Sequence, residues 1–231
     1  MCSNYPEDID INTVTSLGET PLHIAAAHTH GNAEVIKALC SFGADVTMLD
    51  DSKDTSLHYA VLRNDEEKAK ALLNVNPKLV NVAGASGETP LHWAVKTMVN
   101  QESSKEPVTG KASRMIDILC DASDNVSPGD QYGNTPLHFA AAYTRDEVIV
   151  KQLLAKGADP EKRNREGLTP LDFAASRDAR NCFIDMYSKA QDAYNIDKVY
   201  YDMHRAHEYI TYHQMDKAGK LLMCSSVSDA Q

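Results

Sequence analysis

The sequence has no long apolar run and no excess of basic residues. Nowhere in its 231 residues do about eighteen apolar residues follow one another, so we predict that no segment spans a membrane. Lys and Arg number 23 against 33 Asp and Glu, which gives a formal net charge of −10. Because binding to a nucleic-acid backbone needs a basic stripe, we do not expect a nucleic-acid partner.

The sequence also lacks an apolar signal segment and a paired cysteine pattern. Its first residues, MCSNYPEDIDIN, are acidic, which argues against a secretory signal. The cysteines are odd in number and irregularly spaced, at Cys2, Cys40, Cys120, Cys182 and Cys224. We predict buried free thiols in a reducing compartment, and therefore a cytoplasmic protein.

One short motif is present five times. TPLHIA, TSLHYA, TPLHWA, TPLHFA and TPLDFA begin at Thr20, Thr55, Thr89, Thr135 and Thr169, in steps of 35, 34, 46 and 34 residues. Such a period indicates an array of small structural units. Thr and His stand three residues apart in the motif, as a catalytic nucleophile and its base could. Five copies, however, exclude a single active centre, and the third group of a catalytic triad is missing. We therefore predict no enzymatic activity.

Each motif carries the signals of a helix start. Thr is a favoured N-cap, and Pro after it has its φ angle already set for a helix. Small and apolar residues then recur at helical spacing, as at Leu137, Ala140 and Ala141. A second apolar run follows and ends in a Gly-Ala-Asp turn, at Gly43 and again at Gly157. The pattern predicts two short helices in each unit.

Helix, turn, helix, Gly-Ala-Asp turn and a short link to the next Gly-x-Thr-Pro resemble the ankyrin repeat, over nearly the whole chain. The resemblance implies an all-α repeat solenoid: stacked helix-turn-helix units with β-hairpin fingers that project to one side. It also implies protein binding on the fingers and on the concave face of the inner helices. In this family the motif His normally hydrogen-bonds within its turn and to the neighbouring unit, so His23, His58, His92 and His138 are expected to be structural.

In the ankyrin family, recognition is carried by variable residues beside the finger turn and at the end of the first helix. The positions that match here are Leu17, Glu19, Asp51, Asp54, Arg63, Glu88, Lys96, Tyr132, Asn134, Tyr143, Arg165, Leu168 and Arg177. We expect Tyr132 and Tyr143 to be the anchors, because aromatic and Arg side chains dominate interface energetics. No metal or cofactor is expected.

Two further patterns leave alternatives open. Tyr59, Trp93, Phe139 and Phe173 recur at one position of the unit, where they could bind a partner or pack between units; packing is favoured. The second finger is acidic and the fifth slightly basic, which could orient a partner or reflect ordinary solvated tips.

Several units depart from the pattern. The second has Ser56 in place of Pro and Lys53 in place of the turn Gly, so we expect a distorted finger. The fifth has Asp172 in place of the motif His. The third carries about 13 extra residues within 99–111, whose polar, Pro- and Gly-containing composition predicts a surface loop. Such a loop could serve binding or be a tolerated insertion.

We expect about five ankyrin units over residues 1–189 and a helical C-terminal cap, or a degenerate sixth unit, over 190–231. The favoured function is a non-catalytic adaptor that binds another protein and is monomeric by itself. The alternative is a targeting domain of a larger enzyme, or of a bacterial effector that acts on proteins in a host cytosol.

Overall fold

A computed structural model describes residues 10–28, 32–102, 110–143, 147–174 and 177–190 of the chain. Its α-helices are α1 (Pro21–Ala27), α2 (Ala33–Ser41), α3 (Ser56–Leu62), α4 (Glu66–Val75), α5 (Pro90–Glu102), α6 (Gly110–Ala122), α7 (Pro136–Tyr143), α8 (Glu147–Ala155) and α9 (Arg177–Ala190). Two 3-10 helices, Pro77–Asn81 and Pro170–Phe173, complete the described part. Within these ranges no residue lies in a β-strand. None of the described helices is long and apolar enough to cross a membrane.

The helices form five stacked units. Units one to four are the pairs α1–α2, α3–α4, α5–α6 and α7–α8, and unit five consists of the 3-10 helix Pro170–Phe173 and α9. The first helices pack in one row, α1 on α3, α3 on α5, α5 on α7, and α7 on the 3-10 helix of unit five. The second helices form a parallel row in the same order, from α2 to α9. These two rows confirm the predicted all-α repeat solenoid.

The Thr of the motif caps the first helix, as the sequence predicts. In unit one a reciprocal capping box joins Thr20 and His23, and Pro21 stands in the first turn. His occupies the position that Glu or Gln takes in the usual capping box. In unit five Asp172 replaces the imidazole: its Oδ2 accepts hydrogen bonds from Thr169 N–H at 2.7 Å and from the Thr169 hydroxyl at 2.9 Å.

The fingers are tight hydrogen-bonded turns that we number one to five, at residues 15–19, 50–54, 84–88, 130–134 and 164–168. In each, the first residue donates its N–H to the carbonyl of the fifth, at 2.9–3.1 Å. The fourth residue has a positive φ and is Gly in every finger except the second, where Lys53 has φ 60°. The expected distortion of finger two was therefore wrong, because Lys53 adopts the left-handed conformation that Gly has elsewhere.

The core runs along the stack, between the two rows of helices. The motif Leu is buried in all five units, at Leu22, Leu57, Leu91, Leu137 and Leu171. The second helices add residues such as Ile36, Ile116 and Val150, each fully buried. Burying one such side chain stabilises the fold by about 1.5–3 kcal/mol, so the stack gains its stability unit by unit.

The insertion of unit three is more helical than the sequence suggests. We predicted a surface loop within 99–111, but α5 continues to Glu102 and α6 begins at Gly110. The prediction was wrong at both ends of the segment, since α5 and α6 each take up part of it; residues 103–109 lie outside the described residues. The predicted C-terminal cap also lies outside them beyond residue 190, so the cap and the division at 189 stay predictions.

Candidate functional site

Each motif histidine holds two units together through both of its ring nitrogens. His23 Nδ1 accepts hydrogen bonds from Thr20 N–H at 3.1 Å and from the Thr20 hydroxyl at 2.8 Å. Because a backbone N–H can only donate, Nδ1 is the acceptor and the ring proton is on Nε2. His23 Nε2 then donates to the carbonyl of Asp54 in the next finger at 3.1 Å.

The same arrangement recurs at three more interfaces. His58 donates to the Glu88 carbonyl at 3.3 Å, His92 to the Asn134 carbonyl at 3.0 Å and His138 to the Leu168 carbonyl at 3.1 Å. Burial lowers the pKa of His58 to about 4 and also lowers the pKa values of His92 and His138. With the ring neutral and both nitrogens engaged, these histidines act as structural ties between units, as the family resemblance implied, and are not available as bases.

The aromatic series packs between units, which confirms the favoured alternative. His23 meets Tyr59 edge-on, His58 meets Trp93, His92 meets Phe139 and His138 meets Phe173, with ring centroids 5.3–5.8 Å apart and planes at 75–86°. Edge-to-face contacts of this kind stabilise by about 0.5–1.5 kcal/mol beyond the buried area. The aromatic residue of each first helix is therefore held against the motif His of the preceding unit.

Neighbouring fingers are joined to one another by backbone hydrogen bonds. The N–H of Asp51 donates to the Leu17 carbonyl at 3.1 Å, and the N–H of Arg165 donates to the Tyr132 carbonyl at 2.9 Å. Equivalent bonds join finger three to fingers two and four. A row of turns fixed in this way can present side chains with little loss of backbone entropy on binding.

The structure places most of the predicted contact residues at the surface. Leu17, Tyr132 and Tyr143 are 62%, 62% and 60% exposed. Asp51, Arg63, Lys96, Arg165 and Arg177 are also exposed, whereas Glu19, Glu88, Asn134 and Leu168 are half-buried. Arg177 begins α9 and so does not lie at the end of a first helix, where the family pattern placed it.

Asp54 is the predicted contact residue that the structure buries. It is only 8% exposed, and its carboxylate turns toward finger three, where a Cβ at Gly84 would lie 2.1 Å from its Oδ1. His58 Nε2 is 4.0 Å from that oxygen. Burial first, and then the negative charges of Asp50 and Glu88, raise the pKa of Asp54 to about 6. The Asp54 side chain therefore does not belong to the accessible surface.

Two carboxylates of different units meet at one tyrosine. The Tyr59 hydroxyl donates to Asp50 Oδ2 at 2.6 Å and approaches Glu19 Oε1 at 3.3 Å. Burial and these two acidic groups raise the pKa of Tyr59, so the hydroxyl stays protonated and acts as a donor. The result is an acidic stretch across units one and two.

A second group of contacts joins units three and four. Lys96 Nζ lies 2.7 Å from Glu88 Oε1 and 5.5 Å from the centre of the Phe139 ring, above its face. The Phe139 ring in turn stacks on Tyr143, with centroids 6.3 Å apart and planes at 23°. We call Glu88, Lys96, Phe139 and Tyr143 the Lys96 cluster. It offers a cation and an exposed aromatic ring side by side.

Asp50, Tyr59 and Phe139 support this surface through their contacts, although Asp50 itself is only 7% exposed and none of the three was among the predicted contacts. A signal for Asp50 was present: it stands at the first position of its finger, as Asp130 and Asn164 do, where an Asp or Asn side chain can accept finger N–H groups. Asp50 Oδ1 accepts the N–H of Asp54 at 2.9 Å. The other carboxylate oxygen of Asp50, Oδ2, accepts the hydrogen bond from the Tyr59 hydroxyl. The sequence does not reveal this contact, because it depends on the fold.

Comparison with known families agrees with this architecture. A profile described as ankyrin repeats (3 copies) matches residues 3–82, 30–105 and 108–197, which together cover most of the chain. The chain belongs to the ankyrin-repeat family. Ankyrin repeats are in general protein–protein interaction modules.

Several much longer proteins contain a similar ankyrin region. A transient receptor potential cation channel subfamily A member 1 homolog of Caenorhabditis elegans is 26% identical over 190 residues, 74% of this chain and 15% of that protein. A putative palmitoyltransferase of Danio rerio is 27% identical over 76% of the chain and 23% of its own length. The nuclear factor NF-kappa-B p105 subunit of Gallus gallus is 28% identical over 72% and 16%. The chain thus spans less than a quarter of each of these relatives.

Proposed function

We propose that this ankyrin array binds another protein, with the Lys96 cluster and finger four at the centre of the interface. The observation that carries the proposal is the exposure of two tyrosines on fixed supports, Tyr132 at 62% and Tyr143 at 60%. Exposed aromatic side chains on a hydrogen-bonded scaffold are typical anchors of protein interfaces.

The backbone of Tyr132 and the ring of Tyr143 are held in place before any partner binds. Tyr132 lies in finger four, where Asp130 Oδ1 accepts the N–H groups of Tyr132 and Asn134, each at 2.8 Å. Tyr143 stacks on Phe139, and Lys96 above that ring is fixed by its ion pair with Glu88. A surface ordered in advance loses little side-chain entropy on association, which favours affinity.

The test is affinity capture from the source cells with the Tyr132→Ala, Tyr143→Ala double variant. We expect the captured partner to fall at least about tenfold, which corresponds to roughly 1.4 kcal/mol, while the melting temperature stays unchanged. Phe42→Ala is the matched control, because Phe42 is a 77% exposed aromatic residue at the end of α2 and belongs neither to a finger nor to the Lys96 cluster. It should leave capture intact.

Unchanged capture by the double variant would move the interface to another part of the array. The acidic stretch of units one and two would then be tested next, with Glu19→Gln and Asp50→Asn. Loss of capture together with a lowered melting temperature would instead show that the tyrosines contribute to folding.

We further propose a protein partner in the cytosol and no nucleic-acid partner. The net charge of −10 supports the second statement, since a polyanion would be repelled. The free thiols of Cys40 and Cys120 support the first, and burial raises the pKa values of both, which makes them less reactive.

The alternative, a targeting array within a larger enzyme or effector, stays a hypothesis. A turnover screen of the purified chain, together with the full-length gene context, would separate it from a free-standing adaptor. Under the adaptor proposal the purified chain turns over no substrate.

A further inference from the structure

The carboxyl group of Asp54 is buried without a hydrogen-bond donor among the described residues. Asp54 is 8% exposed, and its Oδ1 occupies the space that a Cβ at Gly84 would take in finger three. Only the backbone of Asp54 is satisfied: its N–H donates to Asp50 Oδ1 at 2.9 Å, and its carbonyl accepts from His23 Nε2 at 3.1 Å. Burial without donors favours the neutral acid over the carboxylate.

Unit four shows the donor that unit two lacks. Asn134 has the place of Asp54 at the end of finger four, and its Oδ1 accepts a hydrogen bond from Asn164 Nδ2 at 2.8 Å. Asn164 is the first residue of finger five, and Gly84 has that place in finger three. Because Gly84 has no side chain, it leaves room for Asp54 but offers it no donor.

A donor stands close to Asp54 but is already engaged. His58 Nε2 lies 4.0 Å from Asp54 Oδ1 and donates its proton to the Glu88 carbonyl at 3.3 Å. That bond is the longest of the four from a motif His to the next finger, since the other three measure 3.0–3.1 Å. His58 Nδ1 accepts the Thr55 N–H at 3.1 Å, so Nε2 carries the one proton of the neutral ring. Two acceptors, Asp54 Oδ1 and the Glu88 carbonyl, therefore face a single donor.

We infer that Asp54 is a proton-controlled release of the contact between units two and three. While its carboxyl group is neutral, the His58 proton bonds to the Glu88 carbonyl and holds finger three. The ionised carboxylate is the stronger acceptor, and a movement of about 1 Å brings it within hydrogen-bond distance of His58 Nε2. Finger three then loses the bond from His58 and keeps the backbone bond from Ala85 N–H to the Ser52 carbonyl, at 2.9 Å.

Asp54 changes its protonation in a pH range where His58 stays neutral. Burial first, and then the charges of Asp50 and Glu88, raise the pKa of Asp54 to about 6, while burial lowers the pKa of His58 to about 4. Between pH 5 and 7.5 His58 is therefore a donor with one proton, and Asp54 passes from acid to carboxylate. The contact is complete at the lower pH and weakens as the pH rises through about 6.

The release reaches the Lys96 cluster through Glu88, the last residue of finger three. The Glu88 carboxylate accepts hydrogen bonds from Lys96 Nζ at 2.7 and 3.0 Å, and Lys96 lies above the Phe139 ring on which Tyr143 stacks. Once finger three is released, Glu88 fixes this cation less firmly. An effect on partner binding rests on the proposed function, whereas the release itself is a property of the free chain.

Hydrogen exchange of the full chain, measured by NMR between pH 5 and 7.5, tests the inference. The signal to follow is the Ala85 N–H, which joins finger three to finger two, with rates corrected for the intrinsic effect of pH. Its protection factor should fall at least about threefold as the pH rises through 6, because finger three opens more often without the His58 bond. The Arg165 N–H makes the equivalent bond to the Tyr132 carbonyl in finger four and should keep its protection.

Two variants should abolish the change near pH 6, and a third should keep it. Asp54→Asn removes the titrating group, so the protection factor of Ala85 should stay constant. Gly84→Asn supplies the donor that Asn164 provides in unit four, so the carboxylate has its own partner and leaves the His58 proton to Glu88. Asp51→Asn is the matched control, because it removes an exposed carboxylate of the same finger and should leave the pH dependence intact.

Constant protection of Ala85 in the unmodified chain would overturn the inference, even with Asp54 titrating near pH 6. A pH dependence that survives in Asp54→Asn would overturn it too, as would one that Asp51→Asn removes equally. These measurements use the free chain and do not involve capture through Tyr132 and Tyr143. Failure of the release would therefore leave the proposed function standing.

Discussion

Units two and four reach the same backbone geometry from different residues. In unit four the finger turn has Gly133, the first helix begins with Pro136 and α8 buries Ile149. Unit two has Lys53, Ser56 and Lys68 at these three positions. Both fingers nevertheless close with the same hydrogen bond, from Asp50 N–H to the Asp54 carbonyl at 3.1 Å and from Asp130 N–H to the Asn134 carbonyl at 2.9 Å.

The difference teaches which contacts define an ankyrin unit and which are replaceable. Thr, Leu and His of the motif make equivalent contacts in both units. The replaced positions of unit two instead bury polar groups: Ser56 Oγ has no hydrogen-bond partner among the described residues, and Lys68 is 1% exposed. Because neighbouring units fix its backbone on both sides, unit two keeps its fold despite these costs.

The largest effect should come from the motif histidines, which are equivalent in the two units. His58→Ala and His138→Ala each remove bonds to a Thr and to the next finger, so we expect each to lower the free energy of unfolding by about 3 kcal/mol in urea. Exposed His28→Ala should change it by less than about 0.5 kcal/mol. A much smaller effect at His58 than at His138 would show that unit two does not rely on this contact.

A second prediction concerns the buried lysine of unit two. Lys68 Nζ donates a hydrogen bond to the His28 carbonyl and lies 3.3 Å from Asp65 Oδ2. Lys68→Ala should destabilise the chain by about 2 kcal/mol, through the lost packing of its buried carbon chain. Lys68→Met should recover most of that loss, because Met115 and Ile149 fill the same position elsewhere.

Urea unfolding of both Lys68 variants gives the measurement, with exposed Lys70→Ala as the control. If Lys68→Met were as damaging as Lys68→Ala, the charge of Lys68, and not its volume, would hold units one and two together.

The fourth position of the finger turn should respond in opposite directions in the two units. Gly133→Ala should destabilise by about 2 kcal/mol, since φ is 80° there and the added Cβ would lie 3.0 Å from Arg165 N. Lys53→Gly should stabilise by about 1 kcal/mol, because glycine adopts φ 60° without strain. Thermal and urea unfolding check both variants. A loss of stability in Lys53→Gly would mean that the Lys53 side chain makes a stabilising contact.

The smallest effect should be the pH dependence of the stability that Asp54 gives to unit two. The pKa of Asp54 is raised in the fold to about 6 from 3.8, so folding favours the neutral acid. Its contribution to stability is complete below pH 3.8 and is lost as the pH rises toward 6. Asp54→Asn should therefore add about 1 kcal/mol at pH 7.5 and nothing at pH 3.5.

His58 works in the opposite direction, because its lowered pKa makes the fold lose stability as the pH falls from 6.5 toward 4. This loss is common to the unmodified chain and to Asp54→Asn, so the difference between their melting temperatures isolates the carboxyl. Asn134→Ala in unit four gives a control with no titrating group. A difference between the unmodified chain and Asp54→Asn that stays constant from pH 3.5 to 7.5 would contradict the raised pKa.

The unit boundaries, the buried Leu and His of each motif and the aromatic packing series could all be read from the chain. They depend on local signals that repeat every 34 or so residues, such as a Thr cap and an apolar helix face, and the period itself reveals the stack. The extent of α5 and α6 could not be read, because polar residues after Met98 resemble a loop in composition and only the tertiary structure shows how far each helix runs.

The tertiary structure decided the orientation of individual side chains. Glu19, Asp54 and Glu88 hold equivalent finger positions, yet only Asp54 is buried, because the missing side chain at Gly84, thirty residues away, leaves room for its carboxylate. The buried position of Lys68 also depends on a neighbouring unit, because its Nζ donates a hydrogen bond to the His28 carbonyl of unit one. The sequence alone determined which positions form the array, since period and capping are local. Which polar side chains are buried inside the array depends on the space between units, and that space exists only after the units have stacked.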